Sequence, residues 1–296
     1  QKIRFSKYCN AIESVNNFGK FNSLHGFAPN IYSYSRLVKN KKLRIKENFY
    51  FLDYLISLSE YYGITKVYNP QQGGWLVEEE DFDKLIKKIF KKSFKIFKTP
   101  NYYYGYRFYN NFLFSMDLKA LYSAERLTNI YIDNNLSEVV EIGGGAGYAA
   151  NYFTQLTNTK YTIYDLPHCS ILQAIHLALT LGENNIHFDN EKKINKNCIY
   201  IKPYWKIFEH KNKQKILWFN EDSFPEINFN LSKKYIKKIF ENNKSFFLSI
   251  NQEAKNNYGN EIIQHTVRDI LPKINKIYRC RDFLRPGYIE ELFQTD

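Results

Sequence analysis

The sequence holds only four cysteines, Cys9, Cys169, Cys198 and Cys280, far apart and with no C-x-x-C pair. That spacing excludes a zinc ribbon, argues against a disulfide framework and fits a reducing compartment. The six histidines are equally scattered and show no H-E-x-x-H spacing, so no metal is expected. No uncharged apolar run reaches about 18 residues, so no membrane-spanning helix is expected. The opening Gln1-Lys2-Ile3-Arg4-Phe5 lacks the apolar stretch of a secretion signal, and the expected location is the cytoplasm. There is no internal repeat, and no low-complexity tract beyond a lysine and asparagine bias.

What is present is a chain of 296 residues, 44% hydrophobic, long enough to bury a sizeable core. Lysine and arginine number 42 against 30 acids, a net charge of +12. Such a balance favours anionic partners, or it is a solvated basic surface.

Residues 1–115 read as a mainly helical, aromatic and lysine-rich region, a candidate cap over a substrate. Glu47 to Tyr61 carries a broad apolar stripe near helical period. Asn69 to Gly74 reads as a turn. A second helix is expected from about Glu79 to Lys98, with Lys84, Lys87, Lys88, Lys91, Lys92, Lys95 and Lys98. It is either a docked helix with a solvated lysine face or a surface for a membrane or nucleic acid. The aromatic stretch Tyr102 to Tyr109 either packs in the core or stacks on a ligand ring.

Residues 116–296 alternate strand and helix. A helix from Met116 leads in. Strands are expected at Glu138–Ile142, Lys160–Tyr164, Cys198–Lys202 (beside Ile186–Phe188), Lys215–Asn220 and Ser245–Asn251. Helices are expected at Gly147–Leu156, Pro167–Leu181 and Leu231–Glu241. That order implies a Rossmann-like α/β domain: a mostly parallel sheet with helices on both faces.

The segment with the strongest chemical meaning is Glu141-Ile142-Gly143-Gly144-Gly145-Ala146-Gly147, between a strand and a helix. Glycines let the backbone approach a ligand, and the helix start offers free N–H groups. About 20 residues on, Asp165 closes the second strand, placed to accept ribose hydroxyls or to cap the helix at Pro167. A dinucleotide site would need glycine at the sixth position of G-x-G-x-x-G, where Tyr148 stands. A carboxylate at Glu141 would also repel a pyrophosphate. An NAD-dependent oxidoreductase is therefore disfavoured.

The pattern E-x-G-x-G-x-G resembles the first motif of class I S-adenosylmethionine-dependent methyltransferases. The series VVEIGGGAGY, YTIYDLP, LWFNEDSFPEI, FFLSINQEA and FLRPGYIEEL resembles the bacterial sugar O-methyltransferases over roughly residues 116–296. The resemblance implies S-adenosyl-L-methionine as cofactor. It implies O-methylation of a sugar or nucleotide-linked precursor of a capsule or surface polysaccharide. It places Glu141, Gly143, Gly145 and Gly147 at the cofactor's amino-acid end and Asp165 on the ribose. Leu166, Pro203 and Tyr204 would lie about the adenine, and Asn220 near the transferring methyl. Candidate bases are Asp222, Glu226 and His265, unless proximity alone suffices. Arg107, Lys202 and Arg285 are candidates to hold an anionic acceptor. RNA as acceptor is disfavoured, because no N-P-P-Y or D-P-P-Y segment follows the fourth strand. A non-sugar capsule substituent and a non-catalytic binding protein remain alternatives, and the oligomeric state is open.

Overall fold

The computed structural model describes residues 41–65, 67–69, 71, 73–75, 82–90, 94–96, 106–108, 111–189, 191, 198–211, 215–241, 244–254, 256–258, 262–271 and 276–295. The helices are α1 (Lys41–Tyr61), α2 (Phe82–Ile89), α3 (Ser115–Asp133), α4 (Tyr148–Thr157), α5 (Pro167–Leu181), α6 (Phe229–Phe240) and the short α7 (Val267–Ile270). Strands β1 (Val67–Asn69) with β2 (Gly73–Trp75), and β3 (Tyr106–Phe108) with β4 (Asn111–Leu113), form two small hairpins. β11 (Asn256–Tyr258) and β12 (Ile262–Gln264) form a third.

The remaining strands make one sheet: β5 (Glu138–Ile142), β6 (Tyr161–Asp165), β7 (Ile186–Phe188), β8 (Ile199–Pro203), β9 (Ile216–Glu221), β10 (Phe246–Gln252), β13 (Lys276–Arg281) and β14 (Tyr288–Gln294). Its order is β13-β14-β10-β9-β5-β6-β8-β7. Every neighbour pair from β10 to β7 is parallel, and β14 runs antiparallel to both β10 and β13. The expected α/β class is the observed one. A dinucleotide fold continues its order with a sixth parallel strand; here an antiparallel hairpin closes the sheet instead.

Alternate strand positions feed two helical layers, which is why β5, β6 and β9 read as near-continuous apolar runs. Val139, Ile163, Ile201, Phe219 and Leu248 face a core shared with α3, α4 and α5. Val140, Trp218 and Phe247 face the opposite core, with Tyr235 and Ile239 of α6 and Val267 of α7.

The described part of the N-terminal region joins the first of these cores. Phe51, Leu55 and Leu58 of α1 and Leu85 and Ile86 of α2 are buried in one cluster with Leu121 and Ala124 of α3 and Tyr152 of α4. The second helix is shorter than expected. It stops at Ile89, and residues 94–96 are not helical. Their backbone is spent on α4: the Lys95 amide donates to Gln155 Oε1 at 2.6 Å, and its carbonyl accepts from Gln155 Nε2 at 3.0 Å. The seven lysines therefore do not share one helical face. Lys91, Lys92 and Lys98 lie outside the described residues, as do Tyr102 to Gly105 and Tyr109. The expected turn after Asn69 joins β1 to β2, with the Gln71 amide donating to Asn69 Oδ1 at 2.9 Å.

Candidate functional site

The chain leaves β5 for β6 on one side, while β9 lies on the other. In an open α/β sheet this reversal opens a crevice beyond the carboxyl ends of the strands. The glycine loop fills that position. The Gly143 amide donates to Tyr164 O of β6 at 2.9 Å. Gly143 has φ +71°, and a Cβ there would sit 2.2 Å from Ser223 Oγ. Only glycine meets both conditions. At Gly144 a Cβ would come within 2.7 Å of Glu141 Oε2, so the loop is pressed onto the strand beneath it.

Above the loop lies a cleft of about 450 Å³. One wall is Gly143, Gly145, Asp165, Leu166 and Tyr204; the other is Ser223, Glu226 and Ile227, with Leu231 and Tyr235 of α6. Among the described residues no lysine or arginine lines it. Among the described residues its charged side chains are carboxylates, Asp165 and Glu226.

Asp165 is 8% exposed. Its Oδ1 accepts from the Leu166 amide at 2.7 Å; its Oδ2 accepts from the Gly145 amide at 3.2 Å and Gln173 Nε2 at 2.5 Å. The Cys169 thiol is a fourth, weak donor. Burial raises the carboxyl to about 6, against the pull of these donors. A carboxylate offers about four acceptor directions. All four are taken, so a ribose hydroxyl would have to displace the thiol, the weakest donor.

Four expected cofactor contacts lie beneath or beside the cleft rather than in it. Glu141 is 4% exposed behind Gly144, accepts from Tyr161 Oη at 3.0 Å, and is raised by burial to about 8. Asn220 is fully buried. Its Nδ2 donates to Ile142 O at 2.8 Å and Ser223 Oγ at 2.5 Å, while its Oδ1 accepts from the Phe224 amide and from Asn251 Nδ2. It ties the ends of β5, β9 and β10 together and has no group left for a ligand. Pro203 pairs with Asp165 across the strands but does not line the cleft, and Gly147 caps α4.

The candidate bases separate. Asp222 has φ +67°, unusual for a side chain with a Cβ. Its Oδ2 accepts from Lys119 Nζ at 2.5 Å and its Oδ1 from Arg285 NH1 at 2.7 Å. Burial pushes its carboxyl up, but the two cations outweigh burial and hold it well below the usual carboxylate range. So held, it is a weak base. Lys119 and Arg285 also reach Glu221 at 3.4 and 2.9 Å, and Asp282 Oδ1 lies 3.8 Å from Arg285 Nε. Arg285, 7% exposed and engaged by three carboxylates, is a structural cation and not an arm for an acceptor anion. His265 is 5% exposed, meets Phe229 edge to face at 5.3 Å, and does not line the cleft; burial lowers its pKa. Glu226 is exposed and does line it.

The other proposed anion holders stand elsewhere. Arg107 is exposed on β3, opposite Phe112. Lys202 pairs with Asp189 at 3.1 Å in a different cavity. Sequence reasoning missed Lys119, which carries no motif, and the Ile227, Leu231 and Tyr235 part of the cleft wall. It also missed Gln173, two helical turns into α5, whose Oε1 is buried without a partner among the described residues. His168 and Cys169, in the first turn of α5, line the cleft as well.

No family model and no curated protein matches the chain. Solved structures similar to it include a mitomycin 7-O-methyltransferase, at 13% identity and TM-score 0.43, covering 61% of this chain and 56% of that one. Human N-acetylserotonin methyltransferase in complex with SAM is similar at 10% identity and TM-score 0.39, over 61% of this chain and 54% of that chain. PigF with SAH is similar at 9% identity and TM-score 0.38, over 60% and 59%. The chain thus spans somewhat over half the length of each of these proteins.

Proposed function

We propose that the chain transfers a methyl group from S-adenosylmethionine to an oxygen of a small acceptor. The acceptor class we favour is a sugar or nucleotide-linked precursor of a capsule or surface polysaccharide, made in the cytoplasm. The observation that carries the reading is the cleft at the reversal point of the sheet. It joins a glycine loop to a carboxylate at the end of β6, and no lysine or arginine among the described residues lines it. Among the described residues the acidic and basic side chains that a pyrophosphate would meet there are carboxylates, which Coulomb repulsion disfavours. An adenosyl cofactor with a sulfonium and an ammonium would meet complementary charge.

The residues present fit such a cofactor. Asp165 would accept from a ribose hydroxyl, and the apolar surfaces of Leu166 and Tyr204 would flank the adenine. Gly143 and Gly145 would let the amino-acid end lie against the backbone. When bound, S-adenosylmethionine supplies a methyl group already electrophilic on its sulfur. The protein then has to hold an acceptor oxygen in line with it and exclude water. Glu226 lines the cleft and is the residue we assign to take the acceptor's proton, a contribution of about 10²–10⁴-fold. Asp222, clamped between Lys119 and Arg285, positions the loop after β9. The sugar reading draws its support from the motif series across residues 116–296.

The test is transfer of labelled methyl from S-adenosylmethionine to a panel of nucleotide sugars, unlinked sugars, small phenols and RNA. Label in the sugars supports the reading. Label in phenols alone keeps the enzyme and removes the sugar assignment. Cofactor binding without label in any acceptor would favour a non-catalytic binding protein.

A further inference from the structure

On the second face of the sheet a separate cavity of about 260 Å³ opens between β6, β8 and the 3₁₀ turn Tyr204–Glu209. Lys160, Lys202, Lys206 and Lys211 line it, together with Asp189 and Glu209. We propose that this cavity is a binding site for a phosphate-class anion, distinct from the cofactor cleft.

Three separate stretches of chain bring these ammonium groups together: the residue before β6, the end of β8, and the 3₁₀ turn with the residues after it. Converging like charges cost free energy unless something answers them. The carboxylates answer only in part. Lys202 pairs with Asp189 at 3.1 Å, Lys206 with Glu209 at 2.7 Å, and Lys160 with Glu138, buried behind the wall, at 2.7 Å. Among the described residues Lys211 has no carboxylate partner. The wall is left net positive, in contrast to the cleft on the other side of Tyr164, where no lysine or arginine among the described residues lies; Tyr164 lines both.

A second observation points the same way. The Tyr164 hydroxyl and His210 Nδ1 are 2.8 Å apart. Burial lowers His210 to about 4, so the ring is neutral at pH 7, and burial likewise keeps the Tyr164 hydroxyl protonated. With Tyr164 donating to Nδ1, the remaining ring proton sits on Nε2. That atom is buried and has no partner among the described residues. In that tautomer His210, itself a lining residue of the cavity, carries a ring N–H for which a phosphate supplies acceptor oxygens, along with the charge that the lysines call for. Asp189 and Glu209 hold the lysines in place until an anion competes for them. This inference stands whether or not the main cleft takes an adenosyl cofactor.

The experiment is calorimetric titration with inorganic phosphate, pyrophosphate and ADP at constant ionic strength, alongside the histidine ring ¹⁵N signals of the protein. Variants are Lys202→Gln/Lys206→Gln and Asp189→Asn, with Asp165→Ala as a cleft control and thermal melts to establish folding. We expect saturable pyrophosphate binding, a shift of the His210 Nε2 signal on binding, at least tenfold weakening in the double variant, tightening in Asp189→Asn, and no change in Asp165→Ala. ADP tighter than pyrophosphate would identify the anion as part of a nucleotide; equal affinity would identify the phosphate group alone. No saturable binding beyond matched chloride, or binding untouched by the folded double variant, overturns the proposal.

Discussion

Replacing Asp165 by asparagine tests the cofactor cleft at its most specific point. The carboxylate takes the Leu166 and Gly145 amides and the Gln173 side chain, and burial has lifted it to about 6. Asparagine keeps the shape but presents one NH₂ where Oδ2 now accepts two N–H groups. Gln173 can absorb part of that change, because its own Oε1 is buried, has no partner among the described residues and can turn to accept. The fold should therefore survive. What is lost is a charged acceptor for a ribose hydroxyl, a hydrogen bond of about 1.5–3 kcal/mol. That corresponds to S-adenosylhomocysteine binding about 10- to 150-fold weaker. The pH dependence carries its own sign. The ligand needs the carboxylate, so the native protein loses affinity as pH falls through about 6, by up to about tenfold per unit below it. The asparagine variant should show a flat profile from pH 5 to 8. Calorimetry of both proteins across that range is the assay, with circular dichroism to establish folding. A folded variant that binds within twofold of the native protein, or that keeps the native pH slope, refutes the reasoning.

Other outcomes follow from the neighbouring charges. Arg285→Met removes one cation from Glu221, Asp222 and Asp282 and strands buried carboxylates, so unfolding should become easier by about 3–5 kcal/mol in a denaturant titration. Glu226→Gln should lower kcat by about 10²-fold or more while S-adenosylhomocysteine affinity holds; an unchanged kcat returns the base role to proximity alone. Glu141 is raised by burial to about 8, so its charged form is disfavoured in the fold and stability falls as pH climbs from the unfolded carboxylate range towards 8. Glu141→Gln should remove that fall, leaving the variant better placed against the native protein at pH 8 than at pH 5 in paired thermal melts.

Much of the sheet was legible because parallel strands buried on both faces leave unbroken apolar runs between glycine and proline signals. The strand Glu138–Ile142 and the helix Pro167–Leu181 lie where the sequence places them, the helix opened by its proline at the first position. The hairpin of β13 and β14 was not legible. Its strands mix Lys, Arg and Glu with apolar residues, and Arg279 is held by Glu291 across the pair at 2.7 Å rather than by any apolar pattern. The overlong lysine helix has the opposite cause: aromatic periodicity persists past Phe90, but the backbone at Lys95 bonds to α4. At the site, Gly143 and Asp165 announced themselves through local motif and position. Asp222 could not be weighed as a base from sequence, because its fate depends on Lys119, 103 residues earlier, and Arg285, 63 residues later. The role of Asn220 likewise depends on distant partners. Its position at a strand end is that of a ligand contact, yet all its polar atoms are spent on joining β5, β9 and β10.

The central claim is that the cleft takes an adenosyl cofactor and not a dinucleotide. Its most direct test is calorimetric titration of the full chain with S-adenosylmethionine, S-adenosylhomocysteine and NAD under one set of conditions. The account predicts micromolar binding of both adenosyl compounds and none of NAD. Binding of NAD with neither adenosyl compound would contradict it and turn the cleft over to redox chemistry.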